Sequence, residues 1–523
     1  MAYHNSFDGV FLLDDKIRIV GDPQIRQLSS PWAVMAHSSR PVVQLSLAIN
    51  YALGGLNVWG YHAFNLIVHL LAGLTLFGIV GRMLESDRLR PRYERAAPWM
   101  AAAVALIWIV HPLQTQSVTY VIQRAESMMG LFFLLTLYCG IRGTSSPHPH
   151  RWHFAAIVAC ALGMGSKEVM VTAPVIMLLY DRVFIARSFA DILRQRLWFY
   201  AGLAATWLIL GALMANSRVE QQTILVEDVT PWRYALTQFA VIVHYLRLSF
   251  WPVPLVLDYA WRPVETVASA MPWIVVILAL LSAIAWALYR NVWLWFWGAW
   301  VFLILAPTSS IVPIADLAFE HRMYLPLAGV VVLVVIGVHE TLQWGLARLA
   351  APDSLRRGAA FGLLTIGVLV LAFATIRRND DYRSEYAMWS GIVANRPDNP
   401  RARYNLGNIL DRQGKLAEAM AQFSEALRLK PDYADAHVNL GAALLAQNKW
   451  NEAMPHLSEA VRVKPNSAEA HTNLGTALFN QGQLDEAIIH FSTALRINPR
   501  QTEAKNNLDI ALARKGPPKP VMK

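Results

Sequence analysis

Two adjacent carboxylates, Asp14 and Asp15, lie in the opening stretch FDGVFLLDDKIRIVGDP, ahead of the first long apolar segment. A carboxylate can accept a proton from a hydroxyl nucleophile, and a second carboxylate beside it is expected to raise the pKa of one of the two. This pair would therefore suit general-base chemistry at a membrane surface. The structural alternative is a solvated loop or a helix-capping pair.

Other ionisable residues occur within or beside apolar segments, where charge is costly and each such residue is a candidate for function. Arginine can hold a phosphate through two parallel hydrogen bonds, which lysine cannot match, and a cation can stabilise a departing phosphate. The structural alternatives are interhelical hydrogen bonds, snorkelling to head groups and local ion pairs. The clusters are His62 with Asn65 and His69; His111, Arg124 and Glu126; Lys167 and Glu168; and Glu320, His321, Arg322 and Tyr324.

We predict no metal site from these residues. Two histidines and an asparagine on one helical face make a poor ligand set, and the chain has neither a cysteine-rich zinc motif nor an HExxH motif. The two cysteines, Cys139 and Cys160, both lie in apolar segments and are expected to pack there. An acidic pair could hold a divalent ion through oxygen ligands, so metal dependence stays open.

The composition indicates a membrane protein. Hydrophobic residues make up 55% of the 523-residue chain and charged residues only 16%, whereas about 25% is usual for soluble domains. The net charge of +10 is concentrated in short connections such as RMLESDRLRPRYERA, which is typical of loops that face anionic lipid. No basic face with interleaved aromatic residues is present, so we exclude nucleic acid as a partner.

Ten apolar segments predict membrane-spanning helices, for which about 20 residues are needed, because backbone groups in lipid must bond internally; the segment 153–165 is the shortest of them. The basic loops alternate as cytoplasmic if residues 1–58 lie outside. Residues 215–270 must then lie outside too, so their apolar part YALTQFAVIVHYLRLSFW is predicted to be interfacial or re-entrant; if it crosses, the tail changes sides. The segments are 59–81, 97–112, 126–142, 153–165, 169–186, 197–214, 271–289, 292–308, 323–343 and 358–376.

The tail repeats with a period of 34 residues, at Leu406, Leu440 and Leu474, each followed by glycine. This period and pattern are typical of tetratricopeptide repeats, whose stacked helix pairs present a groove to a peptide or protein. We predict an α-solenoid over 383–514, with a half-repeat at each end. The three full repeats are 400–433, 434–467 and 468–501, and residues 515–523 form a short tail.

A family resemblance follows from the order of the motifs. FDGVFLLDDKIRIVGDPQIR, SRPVVQLSLAINYALGGLNVWGYHAFNLIVHLL, VHPLQTQSVTYVIQRAES, GSKEVMVTAPVIMLLYD, WPVPLVLDYAWRP and FEHRMYLPLAG occur in succession before the repeats. The chain resembles the bacterial transmembrane-and-tetratricopeptide-repeat proteins of the protein O-mannosyltransferase superfamily. The resemblance implies an all-α, polytopic GT-C glycosyltransferase domain over 59–376, preceded by an extracytoplasmic first loop over 1–58 with an amphipathic helix.

The resemblance also implies a reaction. A sugar, commonly mannose, would pass from a polyprenyl-phosphate donor to Ser or Thr hydroxyls of proteins, with inversion and without a required cofactor. Asp14 would be the base and Asp15 its support, while Arg124 would hold the donor phosphate. Location in a bacterial inner membrane is implied, with the acidic loop and the repeats facing the periplasm. Including the candidates found by residue type, the donor-binding set is Arg124, Arg322, Arg40, Lys167 and His111, and the acceptor or support set is Glu126, Glu168, Gln116, Glu320 and His62.

Two departures from the family pattern leave alternatives open. The family has a transmembrane helix before the acidic loop; with it, the ten segments would become the expected eleven, and without it the loop is expected to be held less firmly. Gln116 stands where relatives often have glutamate. The alternatives are the same chemistry on a glycan or lipid acceptor, and a non-catalytic scaffold whose repeats recruit a partner.

Overall fold

A computed structural model describes residues 2–36, 38–221, 229–310, 312–314, 316–349 and 352–516. Within these ranges the regular elements are helices and no strand occurs, which confirms the all-α class. The chain divides into two compact units. The membrane unit consists of residues 1–257 and 261–384, and the repeat unit of residues 258–260 and 385–523.

In the described residues the membrane unit contains fifteen α-helices and several short 3₁₀ and π turns. Many of them begin with a proline in the first turn, where its missing N–H costs nothing. They are α1 Pro31–Ala36, α2 Pro41–Gly54, α3 Val58–Leu84, α4 Arg90–Tyr93, α5 Ala97–Val110, α6 Thr115–Val118, α7 Arg124–Ser145, α8 Pro149–Met164, α9 Ala173–Phe184, α10 Phe189–Gln221, α11 Pro231–Phe250, α12 Val267–Tyr289, α13 Trp295–Leu305, α14 Pro326–Arg348 and α15 Asp353–Asn379.

Six helices in the described residues are long and apolar enough to cross a membrane, and a bent pair makes up to seven. The bent pair is Ala97–Val110 with Pro112–Val118, at 55°. Three other predicted segments correspond to α8, α9 and α13, which have 16, 12 and 11 residues. At 1.5 Å per residue these are about 24, 18 and 17 Å long, shorter than a hydrocarbon core of about 30 Å. The prediction that they span therefore stays a prediction.

The segment predicted to be interfacial or re-entrant is one helix, α11, of 20 residues. The Thr230 hydroxyl caps it by accepting a hydrogen bond from the Arg233 main-chain N–H at 3.3 Å. One face is buried and includes Thr237 and Gln238, while Trp232 and Trp251 at its ends are exposed. It has no internal break of the kind that a re-entrant segment would need, and the side of the membrane on which it ends stays a prediction.

The opening segment is held by the last helix of the membrane unit. The Asn5 side-chain amide donates to the Ile376 carbonyl at 2.8 Å and to Asp380 Oδ1 at 3.0 Å. The Asn379 side chain donates to the Ala2 carbonyl at 3.2 Å, and the Val10 N–H donates to the Tyr382 carbonyl at 3.3 Å. These bonds fix the start of the chain beside the end of α15, which positions the acidic loop that follows.

The repeat unit is a series of helices that cross closely in pairs. A Cβ added to Gly441 of helix Ala434–Ala446 would lie 2.5 Å from the Leu457 side chain of helix Trp450–Val463, so glycine permits this close approach. Residues Asp258–Ala260 also belong to this unit, where Arg401 Nε donates to Asp258 Oδ2 at 2.6 Å. The helices are α16 Glu385–Asn395, α17 Pro400–Arg412, α18 Leu416–Leu429, α19 Ala434–Ala446, α20 Trp450–Val463, α21 Ala468–Asn480, α22 Leu484–Ile497 and α23 Thr502–Lys515.

Candidate functional site

The two opening aspartates occupy opposite environments. Asp14 is exposed, whereas Asp15 is only 1% exposed. Leu13, directly before them, has a φ of 41°, in the left-handed region that a bulky residue rarely adopts. Such a conformation costs on the order of 1–3 kcal/mol and is found chiefly where the surroundings enforce it, often at functional sites.

Asp15 ties the acidic loop to the segment before α7. Its Oδ2 accepts a hydrogen bond from the Leu12 N–H at 3.0 Å, and its Oδ1 accepts one from the Ile122 N–H at 2.7 Å. Burial raises the pKa of Asp15 to about 7, although the two N–H donors act in the opposite direction. The Asp14 N–H donates to the Tyr120 hydroxyl at 3.1 Å, so the loop is fixed on both sides while the Asp14 carboxylate stays accessible.

Arg124, the first residue of α7, is fully buried at 0% exposure. Its guanidinium donates to Asn50 Oδ1 at 2.6 Å and to the Tyr61 carbonyl at 3.3 Å, and lies 4.6 Å from the centre of the Phe64 ring. It thus joins α2, α3 and α7. In this structure Arg124 presents no surface to a donor phosphate.

A second group of charges lies around the start of the short 3₁₀ turn Glu168–Thr172. Lys167 and Glu126 form a buried ion pair. Arg40 lies 3.5 Å from Glu168, and the two side chains are 42% and 38% exposed. Burial raises the pKa of Glu168, but Arg40 and Lys167 lower it more strongly, so that it lies below its ordinary value.

The short 3₁₀ turn Glu320–Met323, called the EHRM turn below, lies near this second group, since the charges of Lys167 and Arg40 act on His321. Arg322 is buried and donates to the carbonyls of Leu317 at 3.2 Å and Asp316 at 2.9 Å, which holds its own loop in place. The main-chain N–H of His321 donates to Gln116 Oε1 at 2.8 Å. Burial, with Lys167, Arg322 and Arg40 nearby, holds the pKa of His321 well below its usual value. The ring is therefore neutral, and in the described part of the chain its Nδ1 has no hydrogen-bond partner.

Two of the remaining candidates have structural contacts. His111 Nδ1 accepts from the Leu113 N–H at 3.2 Å, and its Nε2 donates to the Ser249 carbonyl at 3.2 Å, so the ring caps a short turn. Glu320 accepts a hydrogen bond from Arg378 at 3.1 Å.

Of the polar cluster His62, Asn65 and His69 on α3, two residues have hydrogen-bond partners and one does not. Asn65 and His69 make the predicted interhelical hydrogen bonds, to the Val118 carbonyl at 3.1 Å and the Tyr324 hydroxyl at 2.9 Å. His62 is buried and has no hydrogen-bond partner on either ring nitrogen among the described residues. It lies against the opening segment, where a Cβ on Gly9 would be 3.0 Å from its Nε2.

Sequence reasoning missed Arg378. Besides Glu320, it bonds Asp381 Oδ2 at 2.6 Å and the Leu255 carbonyl at 3.0 Å. The signal was present in RRNDDY, where two arginines and two aspartates follow an apolar segment.

The predicted residues thus form two groups linked by α7. One contains Asp14, Asp15 and Arg124, whose charge acts on the pKa of Asp15. The other surrounds His321 and contains the cations Arg40, Lys167 and Arg322 with the carboxylates Glu126 and Glu168. The first can accept a proton, and the second can stabilise an anion. In the described ranges no three His, Cys, Asp or Glu residues are grouped so as to hold a metal ion.

Comparisons with known proteins extend over both units. Models for "TPR repeat" and "Tetratricopeptide repeat" match residues 407–448 and 438–502, which confirms tetratricopeptide repeats in this part of the chain; the bounds of the single repeats stay a prediction. The chain is 24% identical over 82% of its length to Protein O-mannosyl-transferase TMTC1 of Homo sapiens, and 25% identical over 82% to Tmtc3 of Drosophila melanogaster. It is 25% identical over 81% to human TMTC4. The family resemblance is confirmed by these relatives, although the chain spans only 54–64% of their length.

Solved structures match a smaller part of the chain. MamA of Desulfovibrio magneticus RS-1 is 25% identical, with a TM-score of 0.24 and coverage of 25% of this chain and 73% of that one. The first TPR domain of RPAP3, solved with an HSP90 peptide, is 24% identical, with a TM-score of 0.21 and coverage of 21% and 89%.

Proposed function

We propose that this chain is a multi-pass membrane glycosyltransferase that transfers a sugar from a polyprenyl-phosphate donor to Ser or Thr hydroxyls of proteins. Mannose is proposed as the sugar because the relatives are named O-mannosyl-transferases. The observation that carries the proposal is the pair of aspartates. Asp15 is buried and bonded through both oxygens, and it holds an exposed Asp14 at the surface.

In the proposed reaction Asp14 accepts the proton of the acceptor hydroxyl while the hydroxyl oxygen bonds to the sugar C1. The bond between C1 and the phosphate oxygen breaks, and the electron pair leaves with polyprenyl phosphate. Attack from the face opposite the phosphate inverts the configuration at C1. A positioned general base contributes typically 10²–10⁴-fold to such a step.

The leaving phosphate gains a negative charge, which nearby cations stabilise. We assign first contact to Arg40, because its side chain is 42% exposed and its contact with Glu168 is long, at 3.5 Å. Lys167, Arg322 and the neutral His321 complete this side of the site. Arg124 is assigned a positioning role, since it is buried and bonded to α2 and α3.

The repeat unit is proposed to bind the acceptor polypeptide or a partner protein, as solenoids of stacked helix pairs do.

The acidic loop and the repeats are proposed to face the periplasm from a bacterial inner membrane. Metal ions are not required by the proposed chemistry, and transfer is expected to persist in a chelator.

The test uses the full chain in membrane vesicles, with radiolabelled polyprenyl-phosphate mannose and a Ser/Thr-rich acceptor protein. Asp14→Asn is expected to lower transfer by about 10²–10⁴-fold. Asp8→Asn is the matched control, because Asp8 is an exposed aspartate in the same segment, 3.7 Å from Arg383, and it is expected to keep wild-type transfer.

Wild-type transfer in folded Asp14→Asn would overturn the assignment of the base. Label on a lipid or glycan, with none on protein, would show that the acceptor class is wrong while the donor chemistry holds. Absence of donor-lipid binding in the wild type would favour a scaffold.

A further inference from the structure

A cleft of about 450 Å³ runs along the second half of α3, against α5 and α7. Its walls are mostly apolar, and the side chains of Leu71, Leu74 and Phe77 are exposed. Thr75 of α3, Pro98 of α5, and Leu135 and Tyr138 of α7 complete this part of the lining. From Leu71 to Glu85 the helix rises about 21 Å, which exceeds the depth of one leaflet of a hydrocarbon core of about 30 Å. The cleft therefore has the length of a lipid chain.

Charge occurs at one end of this cleft only. Arg82 and Glu85 are its two charged lining residues, at the C-terminal end of α3. The Arg82 guanidinium lies 5.5 Å from the centre of the Tyr138 ring, and its Nε is buried without a hydrogen bond in the described residues. The cleft is thus mostly apolar and carries one cation and one anion at one end.

The charged end of the cleft lies away from the candidate active site. Arg124 and Tyr138 both lie on α7, and 14 residues of helix between them correspond to about 21 Å. The acidic loop contacts residues 120 and 122 at the other end of that helix. A lipid in the cleft would therefore be a second ligand and not the sugar donor in its reacting position.

We propose that this cleft binds an aminophospholipid such as phosphatidylethanolamine. Its phosphate pairs with Arg82, its ammonium pairs with Glu85, and an acyl chain lies along Leu74 and Phe77. The two charges select this head group, because Glu85 repels an anionic head group such as that of phosphatidylglycerol. A choline head group has no N–H to donate to the Glu85 carboxylate. Arginine-to-phosphate pairing by charge-assisted hydrogen bonds supplies the attraction.

The experiment measures lipid bound to the purified full chain by native mass spectrometry, in detergent with phosphatidylethanolamine, phosphatidylglycerol or phosphatidylcholine. The wild type is expected to retain phosphatidylethanolamine about fivefold more than either other lipid, and Arg82→Gln to lower that binding about tenfold. Glu85→Gln is expected to abolish the preference over phosphatidylglycerol. Arg348→Gln is the matched control, since Arg348 ends α14 and lies 3.9 Å from the Trp344 ring without lining the cleft.

Equal retention of phosphatidylethanolamine and phosphatidylglycerol by the wild type would overturn the proposal. An equal loss in Arg348→Gln and Arg82→Gln would do the same, because it would assign binding to general surface charge. If Arg82→Gln fails to fold, Thr75→Trp fills the cleft and keeps both charges. Unchanged phosphatidylethanolamine binding in that variant contradicts the proposal, and a loss supports it. None of these readouts depends on sugar transfer, so the outcome is independent of the proposed enzyme activity.

Discussion

At the scale of single residues, two neighbouring aspartates are given different tasks by their surroundings. Asp15 is buried and both its oxygens accept main-chain hydrogen bonds, while Asp14 is exposed. The left-handed Leu13 directly precedes them. Asp15 is buried and cannot reach an acceptor hydroxyl, so it positions the loop, and the exposed Asp14 is left to meet the hydroxyl.

The raised pKa of Asp15 predicts a pH dependence of stability. Its folded value of about 7 lies above an unfolded value of about 3.9, so between these values the folded state binds more protons than the unfolded state. Stability from this group is present at low pH and is lost as pH rises from about 4 to about 7. Thermal unfolding of the wild type and of Asp15→Asn, followed across this range, should show a smaller loss of Tm in the variant. Equal slopes would mean that Asp15 does not titrate there.

Arg40 and Arg124 should respond differently to the same substitution. Arg40→Gln is expected to raise the KM for the donor about tenfold with little change in Tm, because the side chain is partly exposed and its contact with Glu168 is long. Arg124→Gln is expected to lower Tm, since it leaves Asn50 and the Tyr61 carbonyl without their buried donor. Donor titrations and thermal unfolding of both variants check this. If the donor KM changes in Arg124→Gln alone, with unchanged Tm, Arg124 and not Arg40 would be the residue that binds the donor phosphate.

At the scale of elements, buried polar contacts connect helices that are distant in the chain. Lys167, just before the 3₁₀ turn Glu168–Thr172, pairs with Glu126 of α7. Arg378 of α15 pairs with Glu320 in the EHRM turn. Gln116 of α6 holds the main chain of the same turn. These contacts set the positions of the proposed phosphate-binding cations.

Removing one partner of the Lys167–Glu126 pair is expected to be costly, because both side chains are buried. Lys167→Met leaves an uncompensated buried carboxylate and should lower the free energy of unfolding by about 3–5 kcal/mol. The double variant Lys167→Met/Glu126→Gln should recover part of the loss. Denaturant unfolding of the two variants in detergent measures the difference. A double variant less stable than the single one would show that the carboxylate is held by other groups.

At the scale of the whole molecule, the chain joins a helical membrane unit to a repeat unit. The two units are held together by different kinds of contact. The membrane unit depends on many long-range polar contacts, whereas the repeat unit is a succession of local helix crossings at glycines. Damage to one crossing should therefore be confined to the repeat unit.

Gly441→Val is expected to lower the stability of the repeat unit by about 1–3 kcal/mol, because the added side chain would overlap with Leu457. Ala421→Val is the matched control, since Ala421 is exposed on α18. Limited proteolysis of the full chain over a temperature series, read by peptide mass, reports where the chain opens. Earlier cleavage within 434–467 is expected for Gly441→Val only; the same pattern in both variants would mean that the crossing is not the cause.

The sequence by itself determined the features that depend on neighbours along the chain. Apolar segments, basic connections and a 34-residue period are local patterns, and they predicted a helical membrane protein with tetratricopeptide repeats. The order of the motifs led to the family to which the curated relatives belong. Length was less well predicted, since α9 and α13 are shorter than the apolar segments that contain them, whereas α8 begins four residues before its segment.

Only the tertiary structure decided which charged residues are accessible. Arg124 and Arg40 look alike in sequence, yet one is fully buried between helices and the other is partly exposed. Arg378 and Glu320 are 58 residues apart and meet across the fold. Burial and pairing depend on distances between segments that are remote along the chain. Residue type and spacing carry no record of those distances, and this is why the roles within the site followed only from the fold.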